Sequence, residues 1–246
     1  MAVRQGRYRR GEGVFGVKHK HIRTMKRLLL LALALMIIIP SMAQKAKFGG
    51  SYYDCRMAAH QEEPIPHGAI IWIGDSLTEQ GWWSFLSKEK NIVNRGIGGD
   101  NTYGMLHRLP LYLDAEPSKI FFMGGVNDIS ANYAVEDIFA NIVAMVDMIK
   151  QRVPQCELYI QSVITPNNDV LAYDYIKNKQ SQMAELNDKL EQMCREKQVV
   201  WVDLRPVMHN EQGELRKELT KDGIHIHPEA YMLWVKHLKE KRYIRK

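Results

Sequence analysis

The stretch IWIGDSLT, residues 71–78, halts an apolar run with a glycine and a small polar cluster. The run, Ala69 to Ile73, predicts a buried strand, and Gly74-Asp75-Ser76 predicts an abrupt turn after it. Ser76 then stands just past the carboxyl end of a strand, the edge at which ligands bind in open α/β sheets. The same residues also read as a helix start, with Asp75 or Ser76 as N-cap. The octapeptide leaves both readings open, and the chain on either side has to separate them.

Downstream, strand-like and helix-like segments alternate. A helix is expected over 79–88, carrying Trp82, Trp83, Phe85 and Leu86, then a short strand over 91–94. A second helix over 102–113 ends near Pro110, and KIFFM, residues 119–123, is a strand. Ile138, Ile142, Met145, Val146 and Ile149 fall at helical spacing in a segment over 135–153 that Pro154 stops. A strand over 157–163, a long helix over 175–197, a strand over 199–204 and a last helix over 228–241 complete the series. Such alternation predicts an α/β fold, a parallel sheet with helices on both faces.

Three turns after strands, and the loop before the last helix, carry unusual residues. They read Gly74-Asp75-Ser76-Leu77, Asn94-Arg95-Gly96-Ile97-Gly98-Gly99-Asp100, Gly124-Gly125-Val126-Asn127-Asp128 and Asp222-Gly223-Ile224-His225. In a doubly wound sheet the strand-end turns share one rim, so these loops are expected to converge. A serine hydroxyl is a weak nucleophile and needs a base within hydrogen-bond reach. His225 can be that base, and Asp222, three residues earlier, can orient its imidazole. A tetrahedral intermediate needs preorganised donors. The Gly99 N–H, the Asn127 side-chain amide and the Ser76 N–H can supply them.

These four blocks, GDSL at Ser76, the glycine before Asp100, GVND at Asn127 and DGIH before Pro228, resemble the SGNH, or GDSL, hydrolases over about 160 residues and in the same order. The resemblance implies a flavodoxin-like three-layer sandwich with a five-stranded parallel sheet. It implies Ser76 as nucleophile, Gly99 and Asn127 with Ser76 as oxyanion donors, and Asp222 and His225 completing a triad. NRGIGGDNTYGMLHRL, residues 94–109, is also similar to acetylhydrolases that remove short acyl groups from platelet-activating factor. The implied reaction is hydrolysis of a short acyl ester through an acyl-Ser76 intermediate, most plausibly O-acetyl on a sialic acid or polysaccharide. A lysophospholipase or thioesterase, an O-acetyltransferase and a non-catalytic glycan-binding module are the competing readings. Two positions depart from common members: His227 follows His225 by two residues and offers a rival base, and Ala230 replaces a glycine.

Other residues carry two readings each. Arg95 can bind a substrate carboxylate or pair with Asp100. Trp82 and Trp83 can stack on a sugar or join the core. Asn167 and Asn168 can reach substrate hydroxyls or serve a turn. Asp75 and Asp128 are expected to accept backbone N–H bonds. His107, His209 and His237 are expected at the surface or in caps.

Residues 1–43 hold nine Lys/Arg and one acid, with an unbroken apolar run from Leu28 to Ile39 and then Ser41-Met42-Ala43. That is the pattern of a signal peptide cleaved near Ala43, and Met25 would be a more ordinary start. The expected location is secreted or periplasmic, without a stable membrane anchor. Residues 44–67 are expected to form an arm and residues 68–246 the catalytic domain. Without the leader the chain holds 25 basic and 27 acidic residues, so its basic pI implies no nucleic-acid partner. Cys55, Cys156 and Cys194 form no C-x-x-C pair. No metal, disulfide or cofactor is expected; a glycan or small-molecule ester is.

Overall fold

The structure, a computed structural model, describes residues 48–245. The basic leader, the apolar run and the cleavage signal lie outside the described residues, as do residues 44–47 of the arm.

Five strands form one sheet: β1 (Ile70–Gly74), β2 (Ile92–Gly96), β3 (Lys119–Met123), β4 (Glu157–Gln161) and β5 (Val200–Val202). Their order is β2-β1-β3-β4-β5 and every neighbouring pair is parallel. This is the flavodoxin-like order of an α/β sandwich. From β1 the chain steps outward to β2 and then crosses to β3 on the other side. Such a reversal opens a crevice at the carboxyl ends of β1 and β3. Ser76 follows β1 by two residues, and Asn127 follows β3 by four.

The helices are α1 (Ser51–Glu62), α2 (Ser76–Glu79), α3 (Trp83–Ser87), α4 (Thr102–Arg108), α5 (Pro110–Leu113), α6 (Val126–Ser130), α7 (Val135–Arg152), α8 (Gln180–Lys197), α9 (Arg205–Met208) and α10 (Pro228–Glu240). Side chains alternate across a strand, so each strand feeds two cores. Ile71, Ile73, Ile120 and Phe122 pack with Met105 of α4, with Ile138, Ile142 and Met145 of α7, and with Met183, Leu186 and Leu190 of α8. Trp72, Phe121, Met123 and Tyr159 face the other way, against Trp83 of α3 and Trp234 and Leu238 of α10. In that second core Trp72, Phe121 and Tyr159 are register partners on β1, β3 and β4. Their rings stack at 4.6 and 4.4 Å, and Trp83 lies 3.7 Å over Trp72. Trp83 is therefore core, at 1% exposure.

Several elements differ from the sequence expectation. The helix over 79–88 is two, α2 and α3. Asn94 Nδ2 donates to the carbonyls of Thr78, Glu79 and Gly81, and Trp83 Nε1 donates to Thr78. Side chains satisfy those carbonyls and the helix stops. The helix over 102–113 divides into α4 and α5 at Pro110, which opens α5. The helix expected from residue 175 begins at Gln180, after a 3₁₀ turn at Asp174–Ile176 and a left-handed Asn178. The helices α1, α6 and α9 have no counterpart in the sequence expectation.

Residues 48–67 hold one helix, α1. Tyr53 is buried and its hydroxyl donates to the Gly104 carbonyl of α4 at 3.3 Å, which ties this segment to α4. Among the described residues no helix is long and apolar enough to cross a membrane. The three cysteines are free thiols.

Candidate active site

The site grows from three loop ends. Asp75 is the N-cap of α2: its Oδ1 accepts the Leu77 N–H at 3.0 Å, and Ser76 becomes the first helical residue. The strand-end turn and the helix start are thus one device, in which the cap places the serine just past β1. Its amide lies in the first turn of α2, where N–H groups have no intrahelical acceptor.

The second end is the loop before α10. Asp222 Oδ1 accepts the Ile224 and His225 N–H groups at 3.0 and 2.8 Å, which folds the loop back on its own aspartate. That turn brings His225 Nδ1 to 2.8 Å from Asp222 Oδ2. His225 Nε2 lies 3.0 Å from Ser76 Oγ, across 149 positions of sequence. With the proton on Nδ1, facing the carboxylate, Nε2 is left to accept from the serine hydroxyl. Burial alone would push Asp222 up, but the imidazole bond and the two amides outweigh it and hold its carboxyl below the usual range. The carboxylate therefore stays charged opposite the ring. Hydroxyl, imidazole and carboxylate form a relay that can take a proton from Ser76 and hold a positive charge on the ring.

The third end is β3 to α6. Asn127 Nδ2 donates to the Asp100 carbonyl at 2.8 Å, which fixes the amide plane and leaves its second proton for another acceptor. Gly99, at φ +75, forms with Asn127 part of the wall of a cavity of about 630 Å³. Tyr52, Tyr53, Asn101 and Tyr175 line the same space. Sequence reasoning missed the residue that anchors this loop. Glu79, three positions after Ser76, accepts the Gly98 N–H on Oε2 at 2.8 Å and the Tyr52 hydroxyl on Oε1 at 2.9 Å. Arg56 of α1 is an ion-pair partner of the same carboxylate at 2.7 Å. No sequence signal separates this glutamate from an ordinary helix residue.

Several expected contacts lie elsewhere. Arg95 is fully buried and paired with Glu63 of the arm, so it meets neither a substrate nor Asp100. Asp100 takes Arg108 instead, at 2.8 Å. Asn167 is buried, donating to the Leu215 carbonyl at 2.8 Å and accepting the Asp169 N–H, which makes it a loop brace rather than a substrate contact. Asn168 bonds Glu214. Trp82 is 61% exposed and absent from the cavity wall beside Gly99. His237 is buried rather than superficial, whereas His209 is half-buried at the C-cap of α9, one of the two expected places. His209 Nε2 accepts the Thr165 N–H, and burial, with Arg205 nearby, pushes its pKa down to about 4. His107 stacks near Phe48. His227 is the N-cap of α10, and the ring that meets Ser76 is His225. Among the described residues, no group of three or more His, Cys, Asp or Glu side chains is arranged to hold a metal ion.

Asp75 and Asp128 do accept backbone N–H bonds, Asp128 from Thr102. Burial pushes Asp75 up to about 7 against the pull of the Leu77 amide, with Asp100 and Asp128 adding to it; burial likewise takes Asp128 to about 6. An unfolded aspartate titrates near ~3.9. The native state thus holds protons that the unfolded chain has lost, and this contribution to stability is full below about pH 4 and declines toward pH 7. Asp75→Asn cannot ionise. Relative to wild type, it should therefore gain on the order of 2 kcal/mol between pH 4.5 and 7.5 in urea unfolding. A pH-independent difference would mean that Asp75 is ionised without penalty.

The family model described as GDSL-like Lipase/Acylhydrolase matches residues 72–233. Among curated proteins, the N-acylneuraminate cytidylyltransferase of Streptococcus agalactiae (serotype III) is 29% identical over 160 residues, 65% of this chain and 35% of that protein. The chain thus spans about a third of the length of the curated relatives it matches. Among solved structures, a Streptococcus pneumonia protein provisionally identified as a platelet activating factor is similar with TM-score 0.68 and 25% identity, covering 85% of this chain and 98% of that one. A provisionally identified acylhydrolase of Bacteroides fragilis follows with TM-score 0.67 and 24% identity, covering 78% and 97%.

Proposed function

The chain belongs to the GDSL-like lipase/acylhydrolase family, whose members hydrolyse esters, and on that premise we propose that it is a Ser76-dependent esterase for short acyl groups on carbohydrate. The observation that carries the chemistry is the 3.0 Å approach of His225 Nε2 to Ser76 Oγ, with Asp222 on the far side of the ring. Ser76 Oγ attacks the ester carbonyl carbon while its proton passes to His225 Nε2. Asp222 stabilises the imidazolium. The Gly99 and Ser76 N–H groups and the Asn127 amide receive the oxyanion. Collapse breaks the C–O bond to the alcohol, which leaves with the proton from His225. Water, deprotonated by the same nitrogen, then attacks acyl-Ser76, and as the acyl–Oγ bond breaks His225 returns that proton to Ser76 Oγ and the acid leaves.

The alcohol side is supported by the cavity beside Gly99, whose lining includes Ser130, Tyr133, Tyr175 and the asparagines Asn101 and Asn127. Such a lining suits a polyhydroxylated alcohol better than a long acyl chain, which needs apolar area. The curated relatives are named for an N-acylneuraminate and one structural relative for platelet activating factor. A sialic acid or polysaccharide bearing O-acetyl groups joins those two chemistries. The apolar run and small-residue signal before residue 44 support action outside the cytoplasm.

A series of p-nitrophenyl esters tests acyl length: turnover should be highest at acetate, and a maximum at C8 or above would replace this reading with a lipase or thioesterase. Acetate release from O-acetylated sialic acid and xylan then ranks the alcohols. Asn127→Ala should lower kcat by ~10²–10³ with little change in KM. A loss under tenfold would remove Asn127 from the oxyanion site.

A further inference from the structure

We propose that Tyr173 is a positioning residue that sets the basicity of His225 through Asp222; the inference rests on the esterase reading. Four donors meet the Asp222 carboxylate. Two are amides of its own loop on Oδ1, and one is the His225 ring on Oδ2. The fourth comes from a different part of the chain: the Tyr173 hydroxyl donates to Oδ2 at 3.2 Å, the same oxygen that holds the imidazole. The Tyr173 ring also stands edge-on to His225, with centroids 6.3 Å apart and planes at 83°.

The segment carrying Tyr173 is tied to the Asp222 loop by its backbone. Ala172 N–H donates to the Asp222 carbonyl at 2.9 Å, and Asn167 N–H to the Gly223 carbonyl at 2.8 Å. The two strands of chain lie so close that a Cβ on Gly223 would come within 2.7 Å of Leu171 Cα, and Gly223 has φ +89. Tyr173 packs on Tyr175 at 5.6 Å, and Tyr175 belongs to the cavity wall. One short segment therefore joins the wall of the cavity beside Gly99 to the acid of the relay.

A hydroxyl that donates to a carboxylate draws off charge that would otherwise stabilise the imidazolium, so it lowers the basicity of the ring. The Asp222 charge keeps the Tyr173 proton in place, because it pushes the phenol pKa up. Tyr175 is the other titratable group acting on Tyr173, and Lys221 and His227 are the remaining titratable side chains of the loop segment in sequence. Lys221 reaches away to Gln80 Oε1 at 3.2 Å, and His227 occupies the N-cap position of α10 without a side-chain cap bond.

The test is the pH dependence of the rate at which a fluorophosphonate labels Ser76, followed by intact mass, because it needs no knowledge of the natural ester. Tyr173→Phe keeps the ring and the backbone bonds and deletes only the hydroxyl. Its labelling midpoint should move up by about 0.5 pH unit. In the Asp222→Asn background the same change should move nothing, since the effect acts through the carboxylate. A Tyr173→Phe midpoint that superposes on wild type or falls below it overturns the proposal, as does an equal upward shift without Asp222. Wild-type protein that takes no label at Ser76 would overturn the esterase reading itself, and this inference with it.

Discussion

Ser76→Ala should lower kcat for p-nitrophenyl acetate by about 10⁴–10⁶-fold while the protein folds as wild type. The hydroxyl is half-buried, and its loss removes one hydrogen bond, to His225. The fold is spared because α2 is capped by Asp75, not by Ser76. His225→Ala should cost a comparable factor, and the double variant little more, because the relay works as a unit. Residual turnover then reports the oxyanion donors alone. Steady-state rates for wild type and the three variants decide the matter: equal rates in wild type and Ser76→Ala would end any nucleophilic role for this hydroxyl.

Arg108→Met should destabilise the fold by about 3–5 kcal/mol in urea unfolding at pH 7.5. Arg108 and Asp100 both have side chains at 0% exposure, bonded at 2.8 Å. The guanidinium also donates to the Gly74 carbonyl at 2.9 Å, to the Arg95 carbonyl and to the Tyr112 hydroxyl at 3.1 Å. It therefore ties the carboxyl ends of β1 and β2 to the loop whose Asp100 carbonyl holds Asn127. Removing it strands a buried carboxylate. Burial already pushes Asp100 up despite Arg108, and without that cation the push is unopposed. The native state would hold its proton to higher pH than the unfolded chain, so the deficit should shrink as pH falls toward 4.5. Adding Asp100→Asn should recover part of the loss at pH 7.5. A deficit under about 1 kcal/mol, equal at both pH values, would show that solvent reaches the pair.

The relay and the sheet were legible in the sequence for a physical reason. A strand-end turn that presents a hydroxyl, and an Asp-x-x-His loop that folds on its own carboxylate, are local devices whose geometry follows from short-range spacing. Alternating apolar segments place them on one rim. What the sequence withheld is pairing at long range. Arg95 and Arg108 stand 13 positions apart on neighbouring elements, and only packing decides which meets Asp100 and which meets Glu63. Asn167 looks like a rim residue by position but faces inward to the Leu215 carbonyl. Tyr173 and Glu79 carry no local signature, since their partners lie 49 and 19 or more positions away. Helix ends were misplaced where side chains such as Asn94 took over the carbonyls.

The grip of Glu79 on both Gly98 and the tyrosine of α1 has a consequence for how this chain tolerates cutting. The family match begins at residue 72, so the strap before it looks dispensable, yet that strap supplies two of the three groups holding the glutamate. A protease nick between α1 and β1 that released the strap would spare the hydroxyl and the imidazole but slacken the glycine loop. The clipped protein would still react with small phosphonates and would turn over esters poorly.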